Sequence, residues 1–276
     1  MFIGVIVSSI ANLNLILLLK TLKAVSFMHR KFFLILLVVI LVPFAAKSLE
    51  DRIAYERVGT FMAYGNASVH ISAGDLNDRF GNSAIAGGGL QFKTQSNWLF
   101  GADYGFLFGG RVYEDVLEEV NTSRGAPINR SGNLEDIDLQ QRGHTGLIRA
   151  GRIFPVIGPN ENSGLYFQLG YGLITHRINI HYSGQRRVPQ IDDPYNQGYD
   201  RLTYGHAFSQ SFGYFHFSNN NSFNFFLGFD FIQGLTRNQR DFNFDEMRQD
   251  DDLRTDLLFG LRGGIFFPFF SRFWAE

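Results

Sequence analysis

Residues 255–270 read TDLLFGLRGGIFFPFF. Leu257, Phe259, Leu261, Gly263, Ile265 and Phe267 share one side of an alternation and carry no charge. Asp256, Leu258, Gly260, Arg262, Gly264 and Phe266 share the other. Side chains that change sides at every residue belong to a strand, not a helix. A soluble sandwich would bury the apolar side. A membrane barrel would turn that side to lipid and line its lumen with the other. The rest of the chain decides between them.

Seven more stretches repeat the pattern: 60–71, 84–93, 98–108, 144–154, 165–181, 201–217 and 223–236. In 98–108, Trp98, Phe100, Tyr104, Phe106 and Phe108 face one way, with Leu99, Asp103 and Leu107 opposite. In 223–236, Phe225, Leu227, Phe229 and Phe231 oppose Asn224, Gly228 and Asp230. Ile148 and Ala150 point outward where Arg149 points inward. The stretch 165–181 carries charge beyond Thr175, as a strand rising out of a membrane would. Connections alternate in length, with short turns near 95, 160 and 220 and longer polar loops near 78, 125, 190 and 245. Val112, Val116 and Val120 are spaced for one short amphipathic helix inside the 109–143 connection. Short turns on one end and long loops on the other mark outer-membrane barrels. Aromatics at strand ends (Trp98, Tyr214, and Phe266 to Trp274) fit interfacial girdles. The pattern predicts an all-β, eight-stranded antiparallel up-and-down transmembrane β-barrel.

Composition agrees. The chain holds 30 Phe and no cysteine, with a formal net charge of −1. That aromatic load with a mean hydropathy of −0.06 suits a barrel, where every second residue is polar, better than a helical membrane protein. The charge balance gives no reason to expect nucleic acid. Without cysteine there is no disulfide or thiolate chemistry. The N-terminal part divides further. His29-Arg30-Lys31 precedes the apolar run 32–44, and Ala46-Lys47-Ser48 offers a cleavage step. This order is that of a signal peptide, residues 28–48, cut after Ser48. The upstream 1–27 reads as an extension ahead of the true start at Met28, with a membrane hairpin as the alternative. The barrel domain is then 49–276.

GDLNDRFGNS, KTQSNWLFG, IGPNENSGLYFQLGYG, YDRLTYG and DLLFGLRGGIFFPF resemble the small porin-family, OmpA-like outer-membrane barrels of Bacteroidota-type bacteria. The resemblance spans about residues 55–270. It implies the outer membrane of a Gram-negative bacterium, with membrane lipid as the surround. It also implies partner proteins, since some such barrels are subunits of assembly or secretion machines. Ser271 to Glu276 departs from the common pattern of a last strand ending on Phe.

An eight-stranded barrel has an interior that side chains fill. The inward charges are Asp103, Arg149, Asp230 and Arg262, beside Asn66, Ser68, Tyr166 and Gln168. They form either an ion path or an ion-paired core that plugs the barrel. Opposite charges in a narrow lumen offset one another's desolvation, which favours the plug. The alternation suggests Arg262 pairs with Asp230 on the preceding strand, with Asp103 as the rival. His70, His144, His176, His181, His206 and His216 form no metal motif. His206, Ser209 and Ser211 share a strand without a nucleophile elbow. Asp245-Glu246 and Asp250-Asp251-Asp252 read as a solvated acidic loop, with cation binding as the alternative. Gly87-Gly88-Gly89 lacks a phosphate-loop frame and reads as strand glycine permitting close packing. No catalytic, cofactor or metal residues are expected. The function expected is a structural or interaction barrel without a wide pore, such as an accessory subunit of an outer-membrane machine. The alternative is a barrel that transports or binds a small solute.

Overall fold

A computed structural model describes residues 57–182, 187–219 and 223–269. The predicted signal segment and upstream extension lie outside the described residues, as does Trp274. Eight strands close on themselves in sequence order. They are β1 Thr60–Gly74, β2 Ser83–Lys93, β3 Trp98–Gly109, β4 Ile137–Phe154, β5 Gly164–Tyr182, β6 Thr203–His216, β7 Phe225–Asn238 and β8 Arg254–Phe269. Neighbours are antiparallel throughout, and β1 closes on β8 with Ala67 opposite Gly263. All eight predicted strands are present, and the predicted facing holds. Phe259, Leu261, Ile265 and Phe267 are exposed on the outer wall while Asp256, Leu258 and Arg262 are buried inside.

The strand ends show why the sequence breaks where it does. Between β2 and β3, Asn97 takes a left-handed φ of 65°, which asparagine tolerates better than most residues. Thr94 N donates to Trp98 O at 2.8 Å and closes the turn. Gly87 and Gly89 lie where β2 presses on β3. A Cβ at Gly87 would stand 2.1 Å from Tyr104 O, and one at Gly89 2.3 Å from Ala102 O. Only glycine fits that approach.

Several expectations are corrected. β4 begins at Ile137, not at 144, because Ile137 to Gly143 pairs with His176 to Tyr182 of β5. This part of the hairpin turns Ile137, Leu139, Ile178 and Ile180 inward and polar residues outward, so it lacks the apolar outer face that marks the rest. The Val112–Val120 stretch forms no amphipathic helix. A single 3-10 turn at Glu118–Val120 is its only helical piece, and Val116 is buried in the core instead. The loop near 78 contains a short helix, α1, at Asp75–Arg79. Phe266 belongs to no outer girdle: it is buried in the lumen.

The interior holds two apolar clusters. At the short-turn end Met62, Tyr64, Leu99, Ile153, Tyr166, Phe215, Phe217, Phe226 and Phe266 fill the lumen. Phe215 stacks on Phe266 with ring centroids 4.4 Å apart. At the long-loop end, strand residues Ile85, Leu107, Leu147, Ile174, Ile232 and Leu258 meet loop residues Leu76, Phe80, Val116, Leu117, Val188 and Ile191. The loops thus carry apolar side chains into the mouth.

Candidate functional site

A charged network lies in the lumen. Asp103 comes from β3, Arg149 from β4, Asp230 from β7 and Arg262 from β8, each turned inward by the alternation of its strand. Asp103 Oδ2 accepts from Arg149 Nε at 2.8 Å, Arg262 Nη2 at 2.6 Å and the Tyr64 hydroxyl at 3.1 Å. Asp230 Oδ1 accepts from Arg149 Nη1 at 3.3 Å and from the Ser211 hydroxyl. His70 Nε2 lies 3.5 Å from Asp230 Oδ2. The two carboxylates and two guanidiniums balance, and all four side chains are at least 96% buried.

The expected Arg262–Asp230 pair is replaced by Arg262–Asp103. Register explains part of it, since Arg262 faces Gly228 while Asp230 faces Gly260. The two are staggered, and Arg149 with Ser211 already occupies Asp230. The narrow lumen lets the β8 guanidinium reach β3 directly. Arg262 also lies over the Phe226 and Tyr64 rings, 5.2 and 5.8 Å from their centroids, a favourable place for a cation out of water. The cavity beside the network measures about 10 Å³, space for about one water molecule.

The network is not built for nucleophilic catalysis. Ser211, Asp230 and His70 are neighbours, but the carboxylate lies between the hydroxyl and the imidazole. A triad needs the imidazole in the middle to take the hydroxyl proton. His206 cannot serve Ser209 or Ser211. It faces the outer wall, where its Nδ1 meets the Tyr171 hydroxyl at 2.9 Å. His144 similarly meets the Tyr104 hydroxyl on the outside at 2.6 Å. His176 lies inside, its Nε2 2.8 Å from Asp256 Oδ2, which also accepts from the Thr236 hydroxyl at 2.6 Å. Among the described residues no three His, Cys, Asp or Glu side chains are grouped to hold a metal ion.

A second network closes the mouth. Glu114 accepts from Arg79 Nε at 2.6 Å and from Arg201 Nε at 2.7 Å. Arg201 Nη2 continues to Asp245 Oδ2 at 2.5 Å, and lies 3.4 Å from Glu246 Oε1. This buried arginine therefore joins three long connections, and Arg79 of α1 adds the fourth. Burial pushes the Glu114 carboxyl up, but the Arg79 and Arg201 guanidiniums outweigh it and hold the carboxyl below its ordinary range. Burial works against the Arg201 charge too, and Glu114 and Asp245 outweigh it and raise its pKa. Asp245 and Asp250 correct the solvated-loop expectation. Asp250 is buried and takes Arg254 Nη2 at 2.6 Å.

Sequence reasoning missed the mouth network because its members lie in separate loops of irregular period. Glu114 and Arg201 are 87 residues apart. The signal available was compositional: acids and arginines in all the long connections, with Leu76 and Phe80 at helical spacing in an otherwise polar stretch.

No family model matches the chain, and no curated protein matches it. Among solved structures it is similar to Neisserial surface protein A, with 11% identity, 77% of this chain and 99% of that chain covered, and a TM-score of 0.40. It is also similar to Ail, the attachment invasion locus protein of Yersinia pestis, in complex with the heparin analogue sucrose octasulfate. There the identity is 15%, the coverage 76% of this chain and 98% of that one, and the TM-score 0.35. The N-terminal β-barrel domain of Pseudomonas aeruginosa OprF follows at 13% identity, 76% and 100% coverage, and a TM-score of 0.34. Likeness at this level carries no function across.

Proposed function

We propose that this chain is an integral outer-membrane barrel with a structural or interaction role and no open pore. The interior carries this reading. Apolar clusters stop the lumen toward both ends, an ion-paired network lies between, and the cavity left there is about 10 Å³. Aqueous channels belong to barrels of many more strands. The outer wall supports the membrane. Val69, Leu90, Tyr104, Ile148, Leu169, Phe212, Phe229 and Phe267 represent all eight strands, and each is exposed. A soluble protein does not carry so continuous an apolar belt, whereas lipid covers it. The long connections at one end and short turns at the other fit the cell-surface and periplasmic sides of a Gram-negative outer membrane. The signal peptide at 28–48, and service within a multi-protein membrane complex, belong to this proposal. So does the absence of enzymatic activity.

Envelope fractionation and planar-bilayer recording test it together. The protein should enter the outer-membrane fraction and give no conductance steps. Steady conductance would replace this reading with a small-solute transport barrel. Recovery in the soluble fraction would sink the membrane assignment itself. Co-purification from native membranes in mild detergent then tests the complex: a stable partner supports it, and an isolated barrel removes it.

A further inference from the structure

Apolar side chains stand open to solvent at the long-loop end. Met247 is 71% exposed, and Phe242 and Phe244 are also exposed. They lie on a fold-back in the 239–253 connection, where Asn243 N donates to Arg248 O at 2.9 Å. That fold-back holds Met247 at a φ of 51°, a left-handed conformation that disfavours side chains beyond glycine.

These residues form one wall of a groove of about 570 Å³. Val120 and Tyr199 complete its apolar lining, and Glu119 joins from the 110–136 connection. The groove is held together from two loops. Phe244 N donates to Gly198 O at 3.0 Å, and the Tyr199 and Phe244 rings meet edge-on at 5.6 Å. Gly198 leaves room for this contact: a Cβ there would stand 2.1 Å from Phe244 Cδ2. Beneath, Arg201 ties Asp245 to Glu114. A preformed surface spares a partner the cost of ordering it.

Charge selects the occupant. Segments 110–136, 187–202 and 239–254, with Arg201 and Arg254 counted, hold fifteen Asp and Glu against eight Arg and no Lys. Glu119 stands in the lining itself, so negative charge reaches the groove. An acidic surround attracts cations and repels anions, while the lining needs apolar side chains. We propose that this groove docks a cationic amphipathic segment of a partner polypeptide. The proposal rests on the outer-membrane reading, which puts this end clear of lipid.

The test uses the full protein in zwitterionic nanodiscs captured on a sensor, with empty discs as reference. The probe is a short peptide alternating leucine and lysine. A lysine-only peptide and a leucine–glutamate peptide of the same length are controls. The leucine–lysine peptide should bind, and the controls should bind far more weakly. The double variant Phe242→Ser, Met247→Ser should lose about tenfold in affinity, as removal of interface anchors does. Both side chains are exposed, so circular dichroism of the variant should match the parent. Glu119→Lys should also weaken binding. Equal binding of the lysine-only peptide, preference for the leucine–glutamate peptide, no binding at all, or a double variant that binds unchanged would each overturn the groove. Failure of the chain to enter the outer-membrane fraction would overturn the earlier reading instead.

Discussion

Arg262 on β8 and Asp103 on β3 meet across the lumen, Nη2 to Oδ2, at 2.6 Å. The pair skips the intervening β1 and β2, so it pins the barrel across its closing seam. Removing one member leaves the buried network one charge out of balance, and breaking a buried pair costs about 3–5 kcal/mol. Asp103→Asn and Arg262→Met should each weaken the barrel by that order in reversible unfolding from liposomes. The double variant should recover more than about 1 kcal/mol of the summed loss, the coupling expected of contacting residues. Asp230→Asn with Arg262→Met should show a smaller coupling, because these two are staggered. A larger coupling for the second pair would show that Arg262 prefers Asp230 in the membrane.

The outer and inner walls should respond oppositely to substitution. Phe229 is exposed on β7 and stacks against Phe212 with centroids 5.1 Å apart. Phe229→Arg should cost about 2–4 kcal/mol if the site lies near the bilayer midplane. Ser209 is buried in the lumen, and its hydroxyl has no hydrogen-bond partner among the described residues. Ser209→Ala should therefore cost less than about 1 kcal/mol. A Phe229→Arg loss no larger than that of Ser209→Ala would mean that Phe229 does not face lipid.

How legible the molecule was depended on period. Where one wall meets lipid and the other the lumen, the sequence alternates, and residues such as Asp103, Arg149, Asp230 and Arg262 could be assigned inward. Where a strand leaves the membrane, the outer face turns polar and the apolar side chains, such as Ile137, Leu139 and Ile178, turn inward, so the lipid-facing signal disappears. The seven residues Ile137 to Gly143 were lost to that cause. The inward aromatics at the short-turn end were partly legible. Tyr166 and Phe266 fall on the inner side of their alternations, yet nothing in the local pattern shows that they meet in one cluster.

Partner choice was less legible still. A lumen charge can be placed on a face by counting, but which carboxylate it reaches depends on shear and on competitors such as Ser211. The mouth needed information from four connections at once. The alternation starts a strand at Arg201, but β6 begins at Thr203 and Arg201 is a buried hub at a φ of 47°. Its roles for Glu114, Asp245 and Glu246 follow from the loops folding over the barrel, and no spacing rule encodes that.

Arg201→Gln should free the loops while sparing the barrel. It removes the charge that Glu114 and Asp245 share. Charge-assisted hydrogen bonds contribute about 1.5–3 kcal/mol each. Hydrogen exchange of segments 110–136 and 239–253 should rise sharply in the variant, with strands β1 to β8 unchanged. Exchange that rises equally in the strands would mean the hub holds the barrel as well. No change in the loops would mean that the apolar plug alone keeps them down.

Acid should unlatch the same loops through Glu114. Burial raises its carboxyl pKa, but Arg79 and Arg201 outweigh burial and hold it below its ordinary 4.5. The folded value is thus lower than the unfolded one. Stability from this group is complete above about pH 4.5 and drains away as pH falls through the folded value. Asp250 adds to the same trend from 3.8 downward: burial raises it, and Arg254 outweighs that. Exchange in segment 110–136, corrected for the intrinsic rate, should stay level from neutral pH to about 4.5 and then increase. Glu114→Gln cannot carry the charge at any pH. Its loops should exchange faster at neutral pH and show a flatter acid response, with only the Asp250 contribution left. A parent protein whose corrected exchange is level through the acid range, or a Glu114→Gln variant with an undiminished acid response, would remove Glu114 as the latch.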